Sequence, residues 1–288
     1  MDEQAALAVI GDRLAAAGDD CAVLDGQVVT TDMLHERTDF PDGTTRYTAG
    51  WRAVGASLSD VAAMGADATA AVAVYAAPDF DEAELTAFID GAEAVCAAVG
   101  AEYVGGDLDG HDEFTVASTA LGDVDEPVRR SGAAPGEAVC VTGTLGRSGV
   151  ALRLFDRGDT EAANELFQFE PRIDAGRALR EYATAMLDSS DGLARSVHQL
   201  CRASDCGAAL STPLPIDERV NDLATDSEDY RELGAFFGED FELVCTIPEN
   251  DVEAAQAATP CQLTRIGTTT EAGVTLDGDP LADRGYSH

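Results

Sequence analysis

Five times the sequence sets aspartate among small or apolar residues, beside glycine or serine or at the end of a strand-like run. The segments are "GDDCAVL" (18–24), "VVTTDML" (28–34), "SLSDVAAMGAD" (57–67), "YVGGDLDG" (103–110) and "MLDSSDGL" (186–193). An unpaired carboxylate is costly to bury, so a fold that keeps these residues must give them partners. Glycine and serine beside an acid let the backbone come close to a ligand. Carboxylates converging from several strand ends would repel one another unless cations neutralised them. Hard oxygen donors without thiolate or imidazole suit Mg²⁺, which works with carboxylates, water and substrate phosphates. Calcium is the rival ion, but neither EF-hand spacing nor a Ca²⁺ repeat is present. Two of the five segments have a plainer reading. Asp60 lies off the apolar stripe of its segment and is also readable as a water-facing residue. Asp188 and Asp191 are also readable as capping chemistry ahead of a helix.

Most other acids carry no such information. The chain holds 54 acids against 18 bases, a formal net charge of -36, and every base is arginine. Runs such as "DFDEAE" (79–84) and "DSEDYRE" (226–232) therefore read as solvated faces. Self-repulsion of this size suits a very salty cytoplasm, where near 1 M salt the Debye length is ~3 Å. The same field repels phosphate backbones, which argues against a nucleic-acid partner. With no lysine there is no Walker A lysine, no Schiff base and no kinase-type lysine. The seven cysteines are scattered, odd in number and lack C-x-x-C, so reduced thiols are expected, not a zinc site or a disulfide framework. No basic leader and no run of about 18 apolar residues appears, which predicts a cytoplasmic protein without a membrane partner.

Along the chain, residues 1–16 read as a short amphipathic helix and 28–32 as a strand. Residues 51–67 read as a helix with Trp51, Val54, Leu58 and Val61 on one stripe. A strand over 68–77, a helix over 81–99 and strands over 101–107 and 114–122 follow. After the turn "SGAAPGE", a second unit opens with a strand at 137–143. Helices over 147–156, 173–184 and 191–203 alternate with strands over 184–188, 207–212 and 240–247. Two α/β halves result, 1–130 and 131–288, joined near 125–137. The glycine turns "VTGTLGRSG" (141–149) and "VGGD" (104–107) could present amides to an anion. Arg129 and Arg130 offer rare cations, or else ordinary surface ion pairs.

Taken in order, "GDDCAVL … TTD … SLSDVAAMGAD … GGD … RSGAAPGE … VTGTLG … DSSDGL … ASDCGA … GEDFEL" resembles the thiamine-monophosphate kinase family, within the aminoimidazole ribonucleotide synthetase superfamily. The likeness covers nearly the whole chain. It implies a two-domain α/β fold whose N-terminal sheets close a barrel across a homodimer, with nucleotide in the groove between domains. It implies a metal-binding, dimerising N-terminal domain and a nucleotide and substrate groove in the C-terminal one. The implied reaction is transfer of the ATP γ-phosphoryl group to thiamine monophosphate, the last step of thiamine diphosphate biosynthesis. Carried over by position, Asp20, Thr30, Thr31, Asp32, Asp60, Asp107, Asp188 and Asp191 match ligands of several Mg²⁺ ions. Gly106, Asp107, Arg130 and Ser190 match nucleotide contacts, and Glu239 and Tyr286 match acceptor contacts. Asp39 stands where the family usually carries a histidine that touches the acceptor, and Thr30 stands where serine is common.

The acceptor is a phosphate monoester with a second pKa of about 6, so it is largely an oxyanion at neutral pH. No general base and no phosphoenzyme are expected. Two other readings stand beside this one: another ATP-using enzyme of the superfamily, or a non-catalytic Mg-nucleotide binding module.

Overall fold

In the computed structural model, residues 9–286 are described, apart from 12 and 15. The helix expected over 1–16 falls largely outside them. The described residues form two sheets. The first holds β1 (Ala22–Leu24), β2 (Gln27–His35), β3 (Asp67–Ala77), β4 (Glu102–Gly110) and β5 (Thr115–Asp123), in the order β1-β2-β5-β3-β4. Strand β5 runs antiparallel to both neighbours, whereas β3 and β4 are parallel and joined by the Glu82–Ala98 helix. A parallel pair needs such a crossover.

The second sheet holds β6 (Ala138–Thr142), β7 (Ala185–Asp188), β8 (Gly207–Leu210), β9 (Leu243–Ile247), β10 (Leu263–Thr270), β11 (Val274–Leu276) and β12 (Asp279–Pro280). Its order is β12-β11-β8-β10-β6-β9-β7, and its one parallel pair is β11 with β8.

The Arg46–Ala63 helix lies between the two sheets. Fourteen of its eighteen residues are buried, which accounts for its alanine, glycine and serine content. Val54, Leu58 and Val61 share one core with Met186, Leu243 and Ile247 of the second sheet. This helix crosses the Glu82–Ala98 helix so closely that a Cβ on Gly50 would lie 2.1 Å from the Phe88 carbonyl oxygen. The helix begins and ends earlier than its apolar stripe suggested, because Asp67 already opens β3. The helix expected over 173–184 stops at Leu179, where the chain must turn to enter β7. Helix Thr160–Phe167 and strand β10 carry no clear sequence signal, since "LTRIGTTT" is half threonine and only partly buried. Among the described residues no helix is long and apolar enough to cross a membrane.

Candidate active site

Three carboxylates from three elements meet. One oxygen each of Asp20, Asp60 and Asp188 lies within 4.8 Å of the others. Asp20 lies in the bend before β1, Asp60 sits in the last turns of the Arg46–Ala63 helix, and Asp188 ends β7. Short polar contacts fix each one. Thr30 Oγ1 donates to Asp60 at 2.6 Å, and Ser59 Oγ donates to Asp188 at 2.7 Å. Ser190 donates to Asp188 through its amide (3.2 Å) and its hydroxyl (2.8 Å). Asp32, beside Thr30 on the same face of β2, accepts from Ser57 Oγ at 2.7 Å. The plainer readings of Asp60 and Asp188 fail here. Asp60 turns into the cluster, and the Leu193–Ser204 helix begins behind Gly192 without a side-chain cap.

The charge in this cluster is poorly balanced. Burial, then Asp32, Asp188 and Asp20, raise the Asp60 carboxyl well above the usual carboxylate range. Burial, then Asp20, push Asp188 up to about 7 despite its serine donors. Arg130 supplies one cation, pairing with Asp20 through Nε (3.1 Å) and Nη2 (3.0 Å). Its own pKa is raised, chiefly by Asp20. Arg129 instead makes a surface pair with Asp19. Mutually repelling oxygen donors, two buried and one half-buried, with one arginine at their edge fit a divalent hard cation.

A small pocket of about 110 Å³ lies beyond the same turn, lined by Asp39, Phe167, Phe237, Glu239 and Tyr286 among others. It is tied to the cluster by backbone. The Glu239 amide donates to the Ser190 carbonyl at 2.7 Å, and the Tyr286 amide donates to the Asp191 carbonyl at 3.0 Å. The Tyr286 ring meets Phe237 edge-on at 5.1 Å, and its hydroxyl donates to the Thr38 carbonyl at 3.2 Å. Burial, with Glu239 and Asp39 nearby, pushes the Tyr286 phenol up to about 12. Asp39 is buried and accepts from the His35 amide (2.6 Å) and Thr38 Oγ1 (2.8 Å).

Four residues of the sequence-derived set stand elsewhere. Thr31 alternates to the other face of β2, where its hydroxyl donates to the Ser118 carbonyl at 2.8 Å. Asp191 accepts from Gln199 Nε2 at 2.9 Å and is not in the three-carboxylate group. Gly106 is in register with Asp32 only through Ala73 and Ser118, three strand spacings or about 14 Å away. Asp107, its neighbour, is exposed and accepts from the following amide. The Gly106 site also has a local reason for glycine, since a Cβ there would lie 1.7 Å from the Ala73 carbonyl oxygen.

In the "VTGTLGRSG" turn two amides already meet a carboxylate of this chain. Asp240 takes the Gly146 amide and, at 2.9 Å, the Ser148 amide at the start of the Arg147–Asp156 helix. Burial pushes this carboxyl up to about 7. Sequence reasoning also missed two donors. Arg52 pairs with Glu239 at 2.6 Å while fully buried, and Ser59 holds Asp188. The available signal for Arg52 was its being the one base in the small-residue run 51–67.

The AIR synthase related protein N-terminal domain matches residues 18–124, and the C-terminal domain of the same family matches 134–278. The chain is 61% identical over 291 residues to a thiamine-monophosphate kinase of Halobacterium salinarum, covering 100% of both chains. It is similar in structure to a thiamine-monophosphate kinase of Stenotrophomonas maltophilia, with a TM-score of 0.82 and 30% identity over 95% of this chain and 94% of that one. It is similar also to a solved AaThiL complex with AMPPCP and TMP, with a TM-score of 0.89 and 26% identity over 99% and 96% of the two chains. By full-length likeness, and with the domain pair above, the chain belongs to the thiamine-monophosphate kinase family of AIR synthase related proteins.

Proposed function

We propose that this chain transfers the γ-phosphoryl group of ATP to thiamine monophosphate, giving thiamine diphosphate. The observation that carries the reading is the 188–191 turn. Asp188 faces the carboxylate cluster, while the carbonyls of Ser190 and Asp191 hold Glu239 and Tyr286 of the pocket beyond. One turn thus borders both a place for phosphates with their cation and a place for an acceptor.

Asp20, Asp60 and Asp188, with Thr30 and Asp32 behind them, would hold Mg²⁺. When bound, the ion supplies charge neutralisation between two polyanions that must approach one another. Arg130, braced by Asp20, adds a positive charge at the edge of the cluster. Ser190 and Ser59 fix the orientation of Asp188. The acceptor monoester is already largely ionised near neutral pH, so the site needs no base. The pocket's carboxylates, Asp39 and Glu239, complement the cationic ring of thiamine, and the Tyr286 ring closes its edge. The nucleotide contacts of Ser190 and Arg130 belong to the same proposal, as does direct in-line transfer without a phosphoenzyme.

We place Asp107 and Gly106 at a homodimer contact, where they would serve nucleotide and metal from a neighbouring copy. Exposed Val104 and Leu108 on β4, with Val74 and Met33 on the same sheet, support an apolar contact there. The division into a metal-binding, dimerising half (1–130) and a nucleotide and acceptor half (131–288) is part of this reading, with Asp188 crossing it. A salty cytoplasm remains the setting that the charge of -36 supports.

The test is incubation with ATP, Mg²⁺ and thiamine monophosphate in concentrated KCl, followed by phosphorus NMR. Thiamine diphosphate and ADP in equal amounts are expected. ATP hydrolysis alone, or binding without turnover, would refute the reading.

A further inference from the structure

We propose that Arg52 is a positioning residue for the phosphoryl acceptor, holding two walls of the acceptor pocket from behind. The inference rests on the acceptor reading given above. Arg52 is 1% exposed and lies in the middle of the helix between the two sheets. Its Nη2 donates to Glu239 Oε2 at 2.6 Å, and its Nη1 donates to the Phe167 carbonyl at 2.7 Å. The guanidinium carbon also sits 3.5 Å from the centroid of the Phe167 ring. Glu239 and Phe167 both line the pocket.

Three further observations favour positioning over plain stability. A buried ion pair often contributes no more than well-packed apolar residues of similar volume, so stability alone is a weak reason for it. Glu239 has a φ of +68°, a left-handed backbone that a residue with a Cβ adopts only when its surroundings fix it. Ser59 stands seven residues after Arg52, on the same face and about 10 Å along the axis, and there it holds Asp188. One rigid helix therefore sets the spacing between the acceptor wall and the carboxylate cluster. A lysine would keep the charge but lose the fork that reaches Glu239 and Phe167 together.

Steady-state kinetics of the parent, Arg52→Lys and the double variant Arg52→Met/Glu239→Gln test this in concentrated KCl. In Arg52→Lys the KM for thiamine monophosphate should rise about tenfold or more, the loss expected for a hydrogen bond to a charged group. The KM for ATP should stay within about twofold, because the ATP side is held by other residues. The double variant leaves neither charge alone, so it should fold and show the same one-sided rise. A parental KM for the acceptor in either folded variant, or equal rises for both substrates, would overturn the proposal. So would failure of both variants to fold, which would make Arg52 a stability residue only. A parent that forms no thiamine diphosphate would overturn the acceptor reading and this inference with it. Parental kinetics in the variants of an active parent would overturn the inference alone.

Discussion

Replacing Asp188 by asparagine separates a ligand from a structural acid. In the metal-free protein the Asp188 carboxyl is pushed up to about 7 by burial and by Asp20, against 3.8 for an ordinary aspartate. The folded state therefore binds an extra proton between about pH 4 and pH 7, and stability is lost as pH rises through that window. Three pH units correspond to about 4 kcal/mol at most. Asparagine cannot ionise, yet its oxygen still accepts from Ser190, and the Ser59 hydroxyl can rotate to accept from its amide. The metal-free variant should thus be about 2 kcal/mol more stable than the parent at pH 8, a rise in Tm of about 4 °C in a chain of this size. The difference should vanish near pH 4. With Mg²⁺ and ATP the order reverses. Ligands stabilise only as far as they bind the native state, so the variant should gain less from Mg-ATP. Its turnover should fall by about 10² or more, the scale of losing one electrostatic element around a transferring group. Melting curves from pH 4 to pH 8, with and without Mg-ATP, and one activity assay settle the matter. A variant with the parent's pH slope, an undiminished Mg-ATP shift and near-parental turnover would refute the reasoning.

Tyr286→Ala should raise the KM for thiamine monophosphate and leave ATP affinity nearly unchanged, since the ring packs on Phe237 beside the pocket; equal losses in both would make the tail structural. Asp39→His should lower the stability by about 1–2 kcal/mol in denaturant titrations, because the His35 amide and Thr38 hydroxyl lose their acceptor. An unchanged midpoint would show that those donors find other partners. Activity and folding should both need high salt, given 54 acids against 18 arginines. Full activity and an unchanged Tm in dilute, Mg²⁺-free buffer would contradict that.

What the sequence revealed depended on whether the chemistry was local. Strand β3 and the Arg147–Asp156 helix stand close to where periodicity set them, and the acids at strand ends were visible from their small neighbours. The Thr31 hydroxyl turns to the Ser118 carbonyl on the other face of β2, a separation from Thr30 and Asp32 that period-two alternation already implies. Asp188 and Asp191 lie three apart, but such residues share a face only in a helix, and residues 189–192 form a turn. The distance from Asp107 to Asp32 depends on β5 and β3 standing between β4 and β2, and spacing along the chain cannot reveal that order. The glycine turn at 143–146 does receive an anion at the amides after it, but the anion is Asp240 from 92 to 94 residues away. Arg52 and Glu239 are 187 positions apart, so only the folded helix joins them.

The central claim is that Asp20, Asp60 and Asp188 hold the divalent cation of a phosphoryl-transfer site. Crystals grown with Mn²⁺, a non-hydrolysable ATP analogue and thiamine monophosphate, measured at the manganese absorption edge, test it most directly. The account predicts anomalous peaks against these three carboxylates, with the acceptor's ring beside Glu239 and Tyr286. Manganese bound elsewhere, with the three carboxylates left without a peak, would contradict it.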